Sequence, residues 1–398
     1  MTKPLSHRTL NIAASLTVAI DSLAKQMIAD GQDVVSLGAG EPDFPTPEVI
    51  RSAACKAINE GKTRYTAPVG ILEVRKAVAE KLKVENGLDY KPEQIIMTSG
   101  AKHAVFNALA ALVNPDDEVI IPAPYWVTYP ELVKWLGGTP VFVQATKDAK
   151  FKITAAQLRE AITPKTKAIF LNNPCNPTGA VYSREELAEL SKVIVENDIY
   201  CISDEVYEYF VYDTEFVSAA AFPGMEERTI VINGFSKSHC MTGWRVGYDA
   251  APMEIAKIIG KIQSQATHHP SNVAQYAALA ALEMHKSSVP EMHAAFLKRR
   301  DYMLKRTAEI LPEPAHAPEG AFYLFAPVNS FFCKKTPEGK VIAGSMDLCQ
   351  YLLQAYGLAI VPGIAFGDDT CVRFSYAAGE ETLKRACDRF VAGLKALL

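Results

Sequence analysis

Hydrophobic and polar positions in the middle of the chain follow two alternating patterns. Short runs rich in apolar and β-branched residues predict strands, and several are continuously apolar, as expected for strands covered on both faces. The predicted strands are Gln94–Thr98, Glu118–Pro122, Thr139–Val143, Ala168–Asn172, Tyr200–Ser203 and Thr229–Asn233. Stretches with helical periodicity lie between many of them, at Lys102–Leu112, Tyr129–Leu136 and Arg184–Glu196. The alternation predicts an α/β fold with a mostly parallel sheet.

The C-terminal part of the chain has a different pattern. A charged helical stretch, Glu291–Leu311, ends at Pro312. The elements after it are Gly320–Phe325, a helix at Ser345–Tyr356, strands near Ala359–Val361 and Cys371–Ser375, and a helix from Glu380. This order predicts a smaller α+β unit.

The boundary between the two units is predicted near Glu41–Pro47, a segment with three prolines that favours irregular backbone. We therefore predict a large domain of residues 46–290. The small domain is predicted to combine both chain ends, residues 1–45 and 291–398.

Composition narrows the class of protein. The chain has 398 residues, 49% of them hydrophobic, and a formal net charge of −4. The apolar fraction excludes a largely disordered chain, and the mild acidity argues against a nucleic-acid partner. No run of about 18 uninterrupted apolar residues is present, so no membrane span is expected.

The eight cysteines are scattered, and none belongs to a C-x-x-C pair. Such spacing disfavours a zinc or dithiol motif and is typical of reduced thiols, so we expect a cytoplasmic protein without a bound metal.

One candidate site is the run Ser99-Gly100-Ala101-Lys102, which follows a predicted strand and opens a predicted helix. Small residues let backbone N–H groups approach an anion, and a helix N-terminus favours negative charge. The same run also fits an ordinary turn between a strand and a helix.

A second candidate is the loop Asn172-Asn173-Pro174-Cys175-Asn176-Pro177-Thr178-Gly179. Its two X-Pro steps favour an extended, irregular backbone after a buried strand. Its Asn side chains can reach over the carboxyl ends of the strands, where open α/β sheets bind ligands. A simple turn rich in Asn and Pro is the alternative.

A third candidate is Ser203-Asp204-Glu205-Val206-Tyr207, in which Asp204 comes at the end of an apolar strand. A carboxylate there can hold a protonated ring nitrogen by a charge-assisted hydrogen bond. Tyr207 can face the same pocket if the chain turns helical. Asp204 could equally be a helix N-cap.

The fourth candidate is Lys237, in a run from Gly234 to Tyr248 that also contains Ser236 and Arg245. Partial burial near cations lowers the pKa of a lysine, and a neutral amine can form a Schiff base with a carbonyl. Arg245 offers a fork suited to phosphate, and Ser236 offers a hydroxyl. A surface loop with an incidental lysine fits poorly with the Trp, Met and Gly residues around it.

These four patterns fall at strand ends of one predicted sheet. Together they supply an anion cradle, a partner for a pyridinium nitrogen, donors to a ring hydroxyl and an amine for an aldehyde. Pyridoxal 5'-phosphate requires this combination.

The sequence resembles the fold-type I, class I aminotransferases of the aspartate aminotransferase group over nearly its whole length. The motifs that carry the resemblance are Ser236-Lys237, Met241-Thr242-Gly243-Trp244-Arg245, Asn173–Gly179, Ser203–Tyr207, Leu37–Phe44 and Val372-Arg373-Phe374-Ser375.

The resemblance implies an α/β large domain that binds pyridoxal 5'-phosphate, with Lys237 as Schiff-base lysine and proton shuttle. It also implies that Asp204 pairs with the pyridinium nitrogen. The further cofactor contacts implied are Asn176 and Tyr207 at the ring hydroxyl, Trp126 stacked on the ring, and Gly100, Ala101, Lys102, Ser236 and Arg245 around the phosphate.

The resemblance further implies a substrate site for amino acids and 2-oxo acids. Arg373 would clamp the α-carboxylate close to the Gly40 backbone, with Trp126 and Asn176 beside it. Lys102, Ser15 and Thr17 occupy the positions that hold the distal carboxylate in the bacterial subgroup. This favours ping-pong transamination between L-aspartate and 2-oxoglutarate.

Tyr65 would reach the phosphate of a neighbouring subunit in a homodimer with shared active sites. Without the resemblance, a surface or interface tyrosine is the simpler interpretation.

Several alternatives remain open at this stage. A β-eliminating lyase or an aromatic, alanine or prephenate aminotransferase would use the same cofactor. Ala13 makes prephenate activity doubtful, because relatives with that activity carry a lysine there. A nicotinamide dehydrogenase is disfavoured, because Asp43 occupies the third glycine position of the G-x-G-x-x-G fingerprint. A regulator built on such a domain would need a DNA-binding module, for which we expect no room before Gly38.

Overall fold

The structure is a computed structural model that describes residues 6–284, 287 and 289–398. The predicted small domain therefore includes five residues, 1–5, outside the described part, and the predicted large domain includes three, at positions 285, 286 and 288.

The strands, in chain order, are β1 (Val35–Ser36), β2 (Ile95–Thr98), β3 (Glu118–Ala123), β4 (Thr139–Gln144), β5 (Thr166–Asn172), β6 (Tyr200–Asp204), β7 (Thr229–Gly234), β8 (Gly247–Ala250), β9 (Tyr323–Pro327), β10 (Leu358–Ala359), β11 (Val361–Pro362) and β12 (Cys371–Ser375).

The α-helices are α1 (His7–Leu10), α2 (Leu16–Ala29), α3 (Glu48–Asn59), α4 (Leu72–Asn86), α5 (Ala101–Leu112), α6 (Thr128–Trp135), α7 (Ala155–Ala161), α8 (Arg184–Glu196), α9 (Met253–Ala266), α10 (Asn272–Glu283), α11 (Val289–Thr307), α12 (Ser345–Tyr356) and α13 (Glu380–Lys395). Within the described residues, none of these helices combines the length and apolar character needed to cross a membrane.

The larger sheet has seven strands in the order β2-β8-β7-β6-β5-β3-β4. Strands β4, β3, β5, β6 and β7 pair in parallel, whereas β8 runs antiparallel to β7 and β2. The predicted α/β fold with a mostly parallel sheet is therefore confirmed. The sequence pattern does not predict β8, because Gly247 and Asp249 are residues with weak strand propensity.

Two smaller sheets use the remaining strands. Strands β11, β12 and β9 form an antiparallel sheet, and β1 pairs in parallel with β10, with Val35 opposite Leu358. The two chain ends thus meet in one sheet. This pairing supports the division into residues 46–290 and the two ends, which stays a prediction.

The carboxyl ends of the central strands lie together at one edge of the large sheet. Asn172 at the end of β5 is opposite Asp204 at the end of β6, and Asp204 is opposite Ile232 near the end of β7. Open parallel sheets bind ligands at this edge. The sheet register therefore brings two of the predicted candidate motifs side by side.

Helix α5 is fixed against the sheet by its apolar face. Ala104, Ala108 and Leu109 are fully buried in the same core cluster as Ile202 of β6 and Ile232 of β7. Burial of one such aliphatic side chain contributes about 1.5–3 kcal/mol. The packing holds the N-terminus of α5 beside the strand ends, as the Ser99–Lys102 run predicts.

Asp249 of β8 is a carboxyl group buried without compensation. It is fully buried, and neither of its oxygens has a hydrogen-bond partner among the described residues. Desolvation raises the pKa of Asp249 well above its ordinary value, so folding favours the protonated form of this group.

Replacing Asp249 is expected to stabilise the protein. The unfolded carboxyl releases its proton near pH 4, whereas the folded one does not, so wild-type stability falls as pH rises above that point. We expect Asp249→Ala to raise the free energy of unfolding at pH 8 by about 1–3 kcal/mol, with a smaller gain at pH 4. Scanning calorimetry across this pH range checks the result.

Asp249→Asn is the matched control, because it keeps the shape and removes the ionisation. Its melting temperature should lack the part of the pH dependence that Asp249 causes. An unchanged slope of melting temperature against pH would contradict the assignment.

Candidate active site

A cavity of about 570 Å³ opens at the carboxyl ends of the large sheet. Its walls come from these strand ends, from the N-terminal segment and from Arg373 of β12. The sequence-predicted residues that line it are Thr17, Gly40, Ala101, Lys102, Trp126, Asn176, Asp204, Tyr207, Ser236, Lys237, Arg245 and Arg373. The structure therefore brings most of the predicted site into one pocket.

The turn into α5 forms the anion cradle of this cavity. Gly100, the residue before α5, has a φ of 82°, a conformation that side chains with a Cβ rarely adopt. The first N–H groups of a helix have no acceptor within the helix, so those of Ala101 and Lys102 are available to an anion. The Arg245 guanidinium lies over Gly100 and donates to the Ser99 carbonyl at 3.4 Å and to the Thr242 carbonyl at 3.0 Å.

Asp204 presents a buried carboxylate at the end of β6. Its Oδ2 accepts a hydrogen bond from the Tyr129 hydroxyl at 2.7 Å, and its Oδ1 accepts one from the Val206 N–H at 3.4 Å. Desolvation raises the pKa of Asp204 to about 6, although the hydrogen bond from Tyr129 opposes the rise. A cationic ring nitrogen in the cavity would restore the ionised form.

Lys237 is partly buried and points into the same cavity. Its Nζ donates to the Gly40 carbonyl. Desolvation lowers the pKa of Lys237 to about 8, with Arg373 and Arg245 adding to the effect and Glu41 opposing it. A substantial fraction of this amine is therefore neutral near physiological pH, as nucleophilic attack or proton abstraction requires.

Arg373 is a buried guanidinium with donors left over. It donates to Asn176 Oδ1 at 2.9 Å and to the Gly38 carbonyl at 2.7 Å, and it lies over the rings of Tyr323 and Phe366. Its Nε has no hydrogen-bond partner among the described residues. Such a group is suited to a carboxylate.

Lys102 and Trp126 both line the cavity, and the ammonium group of Lys102 lies over the Trp126 ring. The Lys102 Nζ lies 5.0 Å from the centre of the Trp126 ring. Burial lowers the pKa of Lys102, and the nearby charge of Arg245 lowers it further. The ammonium group would gain from an anionic partner in this position.

The Asn-rich loop is an irregular segment, as predicted. The peptide bonds Asn173–Pro174 and Asn176–Pro177 are both cis. The Asn176 N–H donates to Asn172 Oδ1 at 2.8 Å, and the Asn176 side chain in turn accepts from Arg373. The loop thereby connects the end of β5 to the guanidinium of β12.

Three predicted site residues lie outside the cavity lining. Gly100 contributes to the anion cradle through its backbone, which turns the chain into α5. Ser15 is the N-cap of α2, where its hydroxyl accepts from the Val18 N–H and lies 2.9 Å from the Thr17 hydroxyl. Tyr65 is 89% exposed and packs against the His268 and His269 rings, so it does not contact the cavity of its own chain.

Sequence reasoning missed several residues of the cavity wall. Tyr129 and Tyr323 are the most important, because Tyr129 donates to Asp204 and the Tyr323 hydroxyl lies 2.7 Å from that of Tyr207. Val18, Asp21 and Lys25 also lie outside every predicted motif, whereas Gly38, Ala39, Glu41, Asn172, Val206, Gly234 and Thr242 line the cavity as members of the predicted motifs. The spacing of Tyr129 three residues after Trp126, across the turn that leads into α6, is the one signal that could have found it.

The donor set of the cavity fits pyridoxal 5'-phosphate. A helix N-terminus with an arginine suits the phosphate, and the buried carboxylate of Asp204, whose pKa is raised, suits a protonated ring nitrogen. Lys237 suits the aldehyde. Arg373, which donates two of its five N–H groups to Asn176 and Gly38, keeps further donors for a substrate carboxylate.

Comparisons with known proteins agree with this chemistry. The profile of the family described as aminotransferase class I and II matches residues 32–390. The aspartate/prephenate aminotransferase of Cereibacter sphaeroides is 44% identical over 396 residues, covering 98% of this chain and 99% of the relative.

Two solved structures are similar along the chain. The aspartate aminotransferase of Rhizobium meliloti superposes with a TM-score of 0.96 at 40% identity, covering 100% of both chains. The aspartate aminotransferase of Thermus thermophilus with maleate gives a TM-score of 0.92 at 40% identity, covering 98% of this chain and 100% of the other.

Adding a methyl group at Gly100 should weaken anion binding more than folding. A Cβ would lie 2.6 Å from Nη2 of Arg245, and the flexible guanidinium would move away from the cradle. We expect Gly100→Ala to bind pyridoxal 5'-phosphate about tenfold more weakly, the effect of losing one charged hydrogen bond. Quenching of tryptophan fluorescence in the apoprotein measures the affinity.

Gly87→Ala is the matched control, because Gly87 also has a positive φ, 71°, but no atom lies within 4 Å of its added Cβ. Equal losses of affinity in the two variants would show that backbone strain, rather than Arg245, causes the effect.

Proposed function

The chain belongs to the class I and II aminotransferases and is a pyridoxal-phosphate-dependent transaminase, and from this premise we propose that it moves the amino group of L-aspartate to 2-oxoglutarate. The products are oxaloacetate and L-glutamate. The observation that carries the proposal is that Lys237, Asp204 and Arg373 face one cavity whose cations suit an anionic cofactor and a dicarboxylate.

Bound pyridoxal 5'-phosphate supplies an aldehyde that accepts amines and a ring that withdraws electrons from the substrate Cα. Its phosphate would be held by the N–H groups of Ala101 and Lys102, by Ser236 and by Arg245. Its ring would lie against Trp126, with Asp204 at the ring nitrogen and with Asn176 and Tyr207 at the ring hydroxyl. The cavity lining supports each of these assignments.

Lys237 would act as the base. Its Nζ would take the proton from the substrate Cα. The pKa of about 8 supports this role, because it keeps part of the amine neutral and still leaves a conjugate acid able to return the proton. The Gly40 carbonyl, which accepts from Nζ, orients the amine.

Arg373 would bind the α-carboxylate of the amino acid. Only two of its five N–H groups donate to Asn176 and to the Gly38 carbonyl, so the guanidinium keeps further donors for a carboxylate. The rings of Tyr323 and Phe366 cover the faces of the guanidinium and exclude water from it. Binding there would orient the Cα–H bond toward Lys237.

The distal carboxylate of aspartate or glutamate would be held by Lys102, Thr17 and Ser15. Lys102 and Thr17 line the cavity, and Ser15 is within hydrogen-bond distance of Thr17. Maleate, which accompanies the similar Thermus thermophilus enzyme, is itself a dicarboxylate. This supports a preference for four- and five-carbon dicarboxylic substrates.

We expect ping-pong kinetics, because one cavity serves both half-reactions. Amino acid and 2-oxo acid both need Arg373 for their α-carboxylate, so the first product must leave before the second substrate binds. Initial rates at several fixed concentrations of 2-oxoglutarate should give parallel lines in a double-reciprocal plot.

Prephenate is the second candidate amino acceptor, and the name of the Cereibacter sphaeroides relative favours it. Ala13 argues against it, because it offers no side-chain cation. Its backbone N–H donates to Glu131 Oε2 at 2.7 Å. An acceptor panel with prephenate separates this candidate, the aromatic and alanine specificities and β-elimination from the main proposal.

A homodimer with shared active sites is part of the proposal. Tyr65 is exposed and lies outside its own cavity, which supports a role toward the cofactor phosphate of a second copy. Sedimentation of the holoenzyme tests the assembly, and loss of cofactor affinity in Tyr65→Phe tests the contact.

Lys237→Ala should abolish transamination and the shift in visible absorbance that follows binding of the cofactor to an amine. The expected loss of kcat is at least a thousandfold, because both the amine and the base are removed. A spectrum before and after aspartate, with an assay of oxaloacetate formation, measures both effects.

Lys25→Ala is the matched control, because Lys25 also lines the cavity but pairs with Asp21 at 2.7 Å. Near-normal activity of Lys237→Ala would contradict the assignment of Lys237 as the catalytic lysine.

Lys102→Met should change specificity rather than abolish activity. Loss of one charged hydrogen bond predicts a fall of about ten- to a hundredfold in kcat/KM for aspartate. The value for alanine, which has no distal carboxylate, should change less than about threefold, because uncharged side chains gain nothing from Lys102. Equal losses for the two amino acids would contradict the distal-carboxylate role.

A further inference from the structure

His103 connects the anion cradle to a neighbouring loop by hydrogen bonds. The Ser99 N–H donates to His103 Nδ1 at 3.2 Å, and His103 Nε2 lies 3.4 Å from the Thr267 hydroxyl. That hydroxyl lies 3.3 Å from the His268 carbonyl. His103 belongs to none of the four candidate motifs of the sequence.

The hydrogen bonds that join Ser99, His103 and Thr267 all run in one direction. A backbone N–H can only donate, so His103 Nδ1 must accept and the ring proton must lie on Nε2. Nε2–H then donates to the Thr267 hydroxyl, and the hydroxyl proton goes to the His268 carbonyl. The geometry therefore requires the neutral ring in a single tautomer.

The His103 ring accepts a hydrogen bond from Ser99, which lies in the turn that forms the anion cradle. Its N–H is bound by His103, and its carbonyl accepts from Arg245. The next residue, Gly100, has the positive φ that turns the chain into α5. The orientation of Ser99 thus fixes where the N–H groups of Ala101 and Lys102 point.

We propose that His103 is a positioning residue for the phosphate cradle, holding the Ser99 turn through its neutral imidazole so that α5 meets the cofactor phosphate in the binding geometry. The inference rests on the proposed function, because it needs a phosphate-bearing cofactor at this place. Protonation of the ring replaces the acceptor at Nδ1 by a donor and breaks the bond to Ser99.

The surroundings of His103 favour the neutral ring. Desolvation lowers the pKa of His103. The charged or titratable groups nearby are Lys102 on the same helix, Arg245 over the turn, and His268 and His269 on the loop after α9.

The test compares His103→Gln with His103→Leu, using pyridoxal 5'-phosphate as the probe of the apoprotein. A glutamine keeps one acceptor and one donor, so we expect its affinity to stay within about threefold of wild type at pH 8. Leucine leaves the Ser99 N–H without an acceptor, and we expect about tenfold weaker binding.

A pH series separates positioning from simple packing. Wild-type affinity should fall more steeply than that of His103→Gln as pH decreases below the ordinary histidine range, since only the imidazole loses its acceptor. The titration of the cofactor phosphate is common to both proteins and cancels in the comparison. His316→Gln, beside Lys150 and Glu319 and outside the cavity lining, is the control for loss of a histidine.

A second readout does not depend on the cofactor. Nitrogen-15 spectra of histidine-labelled apoprotein should contain a neutral ring with its proton on Nε2 that is absent from His103→Gln. The inference is overturned if the glutamine and leucine variants bind equally well, or if no such ring disappears. A wild-type protein that does not bind the cofactor would instead overturn the proposed function.

Discussion

The buried carboxylate of Asp204 is the constraint on which the rest of the site depends. Raising its pKa from 3.8 to about 6 corresponds to a free-energy cost of roughly 3 kcal/mol for the ionised form. The sheet holds it there, since β6 is paired on both sides and Tyr129 donates to it from α6. A cation in the cavity would offset this cost, so the site favours a ligand with a protonated ring nitrogen.

The second constraint is that the cations of the site come from distant parts of the chain. Lys237 follows β7, whereas Arg373 lies on β12, and each donates to a backbone carbonyl of the Gly38–Gly40 segment. Gly40 cannot carry a side chain, because a Cβ there would collide with the Tyr323 hydroxyl. Backbone carbonyls therefore bind both charged groups, and the nearby Glu41 carboxylate further favours the charged form of Lys237.

The sequence was informative where a pattern or a motif has a local physical cause. The ends of α8, α12 and β12 agree with prediction, because capping residues and apolar periodicity mark them. Antiparallel β8 was not predicted, since Gly247 and Asp249 break its apolar run. Tyr129 and Tyr323 were missed for another reason. Buried tyrosines are common, and only the tertiary structure shows which of them contact Asp204 or Tyr207.

The short Gly38–Gly40 segment has a consequence for engineering the enzyme. It precedes the large sheet in the chain by more than fifty residues, yet its carbonyls accept from both Lys237 and Arg373, the residues proposed as base and as ligand of the α-carboxylate. A minimal catalyst cannot therefore be obtained by excising the sheet that carries Lys237. Any circular permutant or domain graft must return this loop to the cavity, because the loop is the common support of the two groups that, in the proposed function, act on one substrate molecule.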